Sequence, residues 1–256
     1  QDGTRVTIPT PYPSIDRQAG GIRQGMVTLF TGRSKSGKSM FLAHWYNYLG
    51  QLDIPVLVIP LEDRRHITVK RMAANLGKHD NSVLDAGGYY VRCDGQWVWY
   101  KTSDEQIQKA FQAIKKVSDY PIHFYDRKCT PRQLMGIAIR YKRKYNIKAM
   151  FVDGAKDLLR PSGKYGDVGF DEEISQELCR IASKLDIAVI AVHHLTKLQD
   201  GEKINVNHIR GSGNIVSDSR AVYALQSECD GLVIENNYAV SYADEGKSRM
   251  RVFECL

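Results

Sequence analysis

The chain has 256 residues, a length that suits one large α/β domain or two small ones. Hydrophobic residues make up 43% and charged residues 25%, which excludes wholesale disorder, and no apolar run is long enough to cross a membrane. Lys plus Arg outnumber Asp plus Glu by 36 to 29, a mild excess that favours a polyanionic partner without requiring one. The five cysteines (Cys93, Cys129, Cys179, Cys229, Cys255) are scattered, with no CxxC pair. That pattern argues against a disulfide framework and a zinc site, and for a reducing cytosol. The first residue is Gln1 and no leader pattern follows, so the stretch reads as a domain taken from a longer protein.

In chain order, residues 1–25 form a lead-in, and Val27 to Phe30 then reads as a strand. A glycine-rich turn and a helix from about Lys38 to Leu49 follow. Val56 to Leu61 is a second apolar run, too short for a helix and suited to a buried strand. Tyr89 to Tyr100 alternates around Asp94-Gly95, a hairpin signal with Trp97 and Trp99 on one face, expected to pack as a small excursion. Ser103 with Gln106 forms a capping box for a helix carrying Ile107, Ala110, Phe111, Ile114 and Val117. Ile122 to Tyr125 is the next strand. Thr130, Pro131 and Gln133 then supply an N-cap, a first-turn proline and a second capping box. Ala149 to Val152, a helix near Glu172 to Leu185, Ile187 to Val192 and Ala221 to Leu225 complete the alternation; from Gly231 onward edge strands and turns are expected.

Apolar strands separated by amphipathic helices predict an α/β fold, a mostly parallel sheet flanked by helices on both faces. The chain is expected to be a single domain over 1–256. In such sheets ligands bind at the carboxyl ends of the strands, which directs attention to the residue after each apolar run.

Gly32-Arg33-Ser34-Lys35-Ser36-Gly37-Lys38-Ser39 fits G-x-x-x-x-G-K-[ST] between a predicted strand and a predicted helix. Backbone N–H groups of such a loop wrap phosphates, and the helix N-terminus adds positive potential. Lys38 is expected to reach the β- and γ-phosphates and Ser39 to hold Mg²⁺. The bound cofactors are thus ATP, or another nucleoside or deoxynucleoside triphosphate, and Mg²⁺.

Glu62 follows the second apolar run, where a carboxylate faces the γ-phosphate and orients or deprotonates water. Ala149-Met150-Phe151-Val152-Asp153 ends in an acid of Walker B type, with Asp153 on Mg²⁺. After Ile187 to Val192 stand His193 and His194. No third ligand at matching spacing supports a metal there, and His194 is instead read as a γ-phosphate sensor. Two basic, glycine-punctuated segments follow these strand ends. Lys156, Arg160 and Lys164 lie after Asp153; Lys197, Lys203, Arg210, Gly211, Ser212 and Gly213 lie after His194. Such loops present cations and N–H groups to a nucleic-acid backbone.

Taken in order, these segments resemble the RecA-like motor domain of DnaB-family hexameric replicative helicases, in particular the phage primase-helicase and mitochondrial Twinkle branch. The resemblance rests on Ile15-Asp16, Gly20-Gly21 and Gly25, Thr31 through Ser39, Leu61-Glu62, Phe151-Val152-Asp153, Val192-His193-His194-Leu195 and Ile209-Arg210-Gly211-Ser212-Gly213. It implies a RecA-like P-loop core and ATP-dependent translocation on single-stranded DNA at a replication fork. It also implies a ring, a hexamer in the full-length protein, with the present stretch by itself expected to be monomeric. Glu62 would be the catalytic base, Asp153 the magnesium ligand and His194 the sensor, with the two basic segments lining the channel. A primase or other replisome component is the implied partner, and a phage-infected or bacterial cytoplasm, or the mitochondrial matrix, the implied location. The family's Lys-x-Arg arginine-finger pair finds no match: Arg249 to Leu256 opens a strand of that kind, but Glu254 and Leu256 stand near where the pair would fall. The C-terminal edge is therefore expected to be truncated. A RecA- or RadA-type recombinase, a KaiC-like regulatory ATPase and a small-molecule kinase share parts of the pattern and stand as alternatives.

Overall fold

The computed structural model describes residues 6–19, 21–33, 36–79, 81–83, 87–93, 96–160, 167–195, 208–209, 213–227, 238–242 and 249–255. The chain begins with β1 (Thr7–Ile8), α1 (Pro13–Ala19) and β2 (Ile22–Arg23), then β3 (Val27–Gly32), α2 (Lys38–Gln51), β4 (Val56–Pro60) and α3 (Arg65–Gly77). A ribbon of β5 (Gly88–Cys93) and β6 (Gln96–Lys101) precedes α4 (Asp104–Ser118), β7 (Ile122–Phe124) and α5 (Pro131–Tyr145). Then come β8 (Ala149–Asp153), α6 (Asp167–Leu185), β9 (Ala188–His194), α7 (Gly213–Asp218), β10 (Ala221–Ser227), β11 (Tyr238–Tyr242) and β12 (Arg249–Cys255).

Eight strands form the main sheet in the order β11-β12-β10-β3-β9-β8-β4-β7. The six from β10 to β7 run parallel, and β12 and β11 add on in antiparallel fashion. Every side chain of β3, β4 and β8 is buried, as a central parallel strand covered on both faces requires.

Strand alternation splits the core in two. Phe30, Val56, Val58, Phe151, Ile190 and Val192 face α2, whose Phe41, Leu42, Trp45, Tyr46 and Leu49 fill the space above them. Leu29, Leu57, Ile59, Met150, Val152 and Val189 face the other way, onto Leu134, Ile137 and Ala138 of α5 and Ile174, Leu178 and Ile181 of α6. The lead-in is stitched onto α2: Tyr12 stacks on Phe41 at 4.8 Å, and the Trp45 indole N–H donates to the Pro9 carbonyl at 2.9 Å.

Both expected capping boxes form. The Ser103 hydroxyl accepts from the Gln106 N–H while the Gln106 amide accepts from the Ser103 N–H, and Thr130 with Gln133 repeats the arrangement. The hairpin also forms, in the register that pairs Arg92 with Trp97 and Tyr90 with Trp99. Its expected packing is corrected. Trp97 is 68% exposed and Trp99 44% exposed, and Val98 and Tyr100 are exposed as well. A two-stranded ribbon has no second layer of its own, so its side chains stay in solvent unless another element covers them.

Candidate nucleotide site

Register places the candidate residues at one edge. Gly32 of β3 lies beside His194 of β9, Asp153 of β8 beside Val192 of β9, and Pro60 of β4 beside Asp153. The Leu61 N–H donates to the Asp153 carbonyl at 2.9 Å, which carries the chain past the end of β4 towards Glu62. The P-loop, Glu62, Asp153 and His194 therefore follow the carboxyl ends of four adjacent strands.

Close approach governs two glycines. A Cβ on Gly32 would stand 2.7 Å from the Leu225 carbonyl oxygen and 2.8 Å from the Ser36 hydroxyl, so only glycine lets the P-loop leave the sheet there. Gly154 has φ +86°, and a Cβ on it would stand 3.3 Å from the backbone nitrogen and Cβ of Glu62. The turn after β8 thus seats Glu62 directly against the end of the Walker B strand.

Lys38 opens α2, and its ammonium donates to the carbonyl oxygens of Gly32 and Arg33, both at 2.9 Å. Burial lowers its pKa, and Glu62 and Asp153 oppose that shift, which places the ammonium in the field of both carboxylates. Ser39 sits half-buried in the first turn of α2, where the helix has no earlier carbonyls of its own to satisfy its N–H groups. Asp153 shares the α2 face with Phe151, two residues before it, and is buried. Burial first, then the Glu62 and Asp63 carboxylates, push its pKa up to about 7, against the pull of Arg71 and Lys38.

Two neighbours of this cluster carry no motif. Asp63 forms an ion pair with Arg71 of α3. Tyr46 packs edge-on against Phe151 at 5.0 Å, and both burial and the nearby Asp153 carboxylate raise its phenol pKa. Tyr46 lies seven residues after Ser39, two helical turns on, a spacing that could have marked it; nothing in the sequence marks Arg71.

Crowded carboxylates beside a phosphate cradle form a hard-oxygen donor set of the kind that suits Mg²⁺. Among the described residues no three His, Cys, Asp or Glu side chains converge to hold a metal by themselves. Mg²⁺ at a nucleotide site is commonly held by one or two protein oxygens together with the nucleotide's phosphates. Asp153→Asn tests the electrostatics. Because the folded pKa is raised, the native state holds a proton that the unfolded state has lost between about pH 4 and 7, so ionisation of Asp153 erodes stability as pH rises through that window. The nucleotide-free Asn variant should exceed wild type in stability at pH 8 by roughly 2–4 kcal/mol, with the gap closing towards pH 4. Urea titrations at the two pH values measure this, and a variant less stable than wild type at pH 8 would refute the crowding.

His193 is buried, and its carbonyl accepts from the Thr31 hydroxyl at 2.9 Å, tying β9 to β3 just below the P-loop. His194 ends the same strand. Of the basic-segment residues, Lys156 pairs with Asp171 of α6 at 3.5 Å, and the Arg160 guanidinium lies over the Phe170 ring at 5.0 Å. Both cations are thereby tied to α6, and Lys156 would have to leave Asp171 to meet a phosphate. Gly213 begins α7. Ser34, Lys35, Lys164, Lys197, Lys203, Arg210, Gly211 and Ser212 lie outside the described residues.

The family model for the DnaB-like helicase C-terminal domain matches residues 7–237. The replicative DNA helicase DnaC of Bacillus subtilis is 25% identical over 233 residues, covering 87% of this chain and 48% of that protein. The replicative DNA helicase DnaB of Helicobacter pylori is 25% identical over 224 residues, covering 85% of this chain and 43% of that protein. The chain thus spans about half the length of these curated relatives. Among solved structures, a DnaB-like replicative helicase studied with primase superposes with TM-score 0.78 at 20% identity, over 99% of this chain and 62% of that one. A second solved structure, of an ATPase domain, gives TM-score 0.78 at 21% identity, over 97% of this chain and 88% of that one. Both likenesses establish the fold.

Proposed function

Because the chain belongs to the DnaB-like helicase C-terminal domain family, we propose that it is the single motor domain of a replicative DNA helicase. It hydrolyses ATP, or another nucleoside or deoxynucleoside triphosphate, and converts turnover into movement along single-stranded DNA and unwinding of duplex at a fork. The observation that carries this reading is the convergence of Lys38, Glu62 and Asp153 at the carboxyl edge of one parallel sheet, beyond β3, β4 and β8. The family matched is a helicase family, which favours a motor over the recombinase, regulatory ATPase and kinase alternatives.

Each residue then has a task. The P-loop from Gly32 to Ser39 wraps the phosphates, and Lys38 turns its ammonium from the Gly32 and Arg33 carbonyls to the β- and γ-phosphate oxygens. Ser39 and Asp153 would hold Mg²⁺, which when bound neutralises phosphate charge and relieves the crowding that raises the Asp153 pKa. Glu62 takes the proton of the attacking water. His194 reports the γ-phosphate to the segment that follows it.

That segment, with the one after Asp153, grips single-stranded DNA inside a ring of like subunits, a hexamer in the full-length protein. A primase or other replisome component is the further partner, in bacterial or phage-infected cytoplasm or the mitochondrial matrix. No helix among the described residues is long and apolar enough to cross a membrane.

The DNA assignment has a direct test. Each lost phosphate contact flattens the salt dependence of single-strand binding by about 0.7 unit in log–log slope. Arg210→Ala and Lys203→Ala should each do so, weaken binding about equally across sequences, and uncouple unwinding from hydrolysis. Sizing the variants separates lost contacts from lost assembly. Intact rings with the wild-type slope would overturn the assignment.

A further inference from the structure

The far edge of the sheet carries a second concavity of a different kind. Strand β7 is the edge strand, four positions from the P-loop strand in the order β3-β9-β8-β4-β7, or about 19 Å at ordinary strand spacing. Between its outer side and the C-terminal half of α5 lies a cavity of about 400 Å³. Its walls are Phe124, Tyr125, Tyr141 and Tyr145, all half-buried, and exposed Arg127, Arg140 and Lys144 stand at its rim.

The aromatic walls are held in place. The Tyr141 hydroxyl donates to the Phe124 carbonyl at 3.1 Å, and Tyr145 has one neighbour stacked on it, His123, at a centroid distance of 3.7 Å. Lys144 sits 4.9 Å from the centre of the same Tyr145 ring, and Arg65 of α3 lies over Phe124 at 5.5 Å. Fixed rings lose little freedom when a ligand stacks on them. The helix C-terminus accounts for some of the positive charge, since Lys142, Arg143 and Lys144 all lie in the last turn of α5. It does not account for Arg127, which comes from the loop after β7. Neither Arg127 nor Arg140 forms an ion pair among the described residues, and Asp126 is the one carboxylate lining the cavity.

Flat apolar faces ringed by cations match a base and its phosphates. A peptide strand added to the edge of β7 fits less well. The Val56 N–H bonds to Pro121 and the Tyr125 N–H to Val58, so the backbone of Phe124 faces outward. Its carbonyl is already taken by Tyr141, and the Ile122 N–H by Tyr120. The volume lies at the lower end of the ordinary range for small-ligand pockets, about 300–1,000 Å³, which suits one nucleotide rather than a folded partner.

From these contacts we propose that the β7–α5 cleft is a second binding site for single-stranded nucleic acid, outside the nucleotide site and the two basic segments. One base stacks on Tyr125 and Tyr141, and the flanking phosphates meet Arg127, Arg140 and Lys144. The inference rests on single-stranded DNA being the partner of the motor.

Photocrosslinking of the intact protein with an oligothymidylate bearing 4-thiothymidine, followed by peptide mapping, tests the site. Adducts are expected on the peptides holding Tyr125 and Tyr141. The double variant Arg140→Ala/Lys144→Ala should flatten the salt slope by roughly 0.7 unit per lost contact with an unchanged melting temperature. Tyr125→Leu, which keeps an apolar group against the core, should weaken binding roughly 5- to 150-fold. Adducts confined to other peptides, together with a wild-type slope in the double variant, would overturn the cleft site while leaving the motor assignment intact. Absence of any oligothymidylate binding would overturn both. Retention of an acidic peptide at the cleft with no thymidylate adduct there would assign the surface to a protein instead.

Discussion

Glu62→Gln should leave nucleotide binding near wild type and lower turnover by about 10²- to 10⁴-fold in the active full-length protein. The amide keeps the shape of the carboxylate and cannot accept the water's proton. Its position supports the role: Glu62 follows β4 at the edge where Asp153 ends β8, it packs on Gly154, and its charge is felt at both Lys38 and Asp153. The same substitution removes one of the two carboxylates that raise the Asp153 pKa, so that pKa should fall in the variant. Pre-steady-state binding and single-turnover hydrolysis separate the two effects. Turnover at the wild-type level would remove Glu62 from the mechanism.

Lys38→Ala should cost nucleotide affinity more than any other single change at the site. Hydrogen bonds from a charged donor contribute about 1.5–3 kcal/mol each, so losing two should weaken binding by roughly 10²- to 10⁴-fold. The loop itself also loses support, because the ammonium holds the consecutive Gly32 and Arg33 carbonyls where the P-loop leaves β3. Lys38→Arg should restore little, since a planar guanidinium does not fit a cradle shaped around a compact ammonium. Titration with a fluorescent nucleotide measures the loss, and an affinity within about threefold of wild type would contradict the placement of Lys38 at the phosphates.

Local features were legible in the residues alone. The P-loop is a run of eight residues whose chemistry belongs to its own backbone. The capping boxes at Ser103 and Thr130 join residues three apart, and both form as spacing alone requires. The apolar runs carry their own period, so a parallel sheet covered on both faces could be read before any contact was known. The family resemblance rested on the same short segments.

Features that depend on distant parts of the chain meeting needed the folded protein. Asp153, Glu62, Asp63 and Arg71 come from β8, the turn after β4 and α3, and the raised Asp153 pKa exists only where their fields overlap in a buried site. Lys156 and Arg160 read as open cations in the sequence, yet α6 brings Asp171 and Phe170 to them. The hairpin's tryptophans are apolar enough to suggest packing, yet Trp97 and Trp99 stay largely exposed on their ribbon. The β7–α5 cleft has no motif, because its rings and cations lie on a strand end and on a helix that reaches it only after folding back along the sheet edge. Periodicity and capping are properties of neighbouring residues; burial, field strength and concavity are properties of elements that touch across the fold.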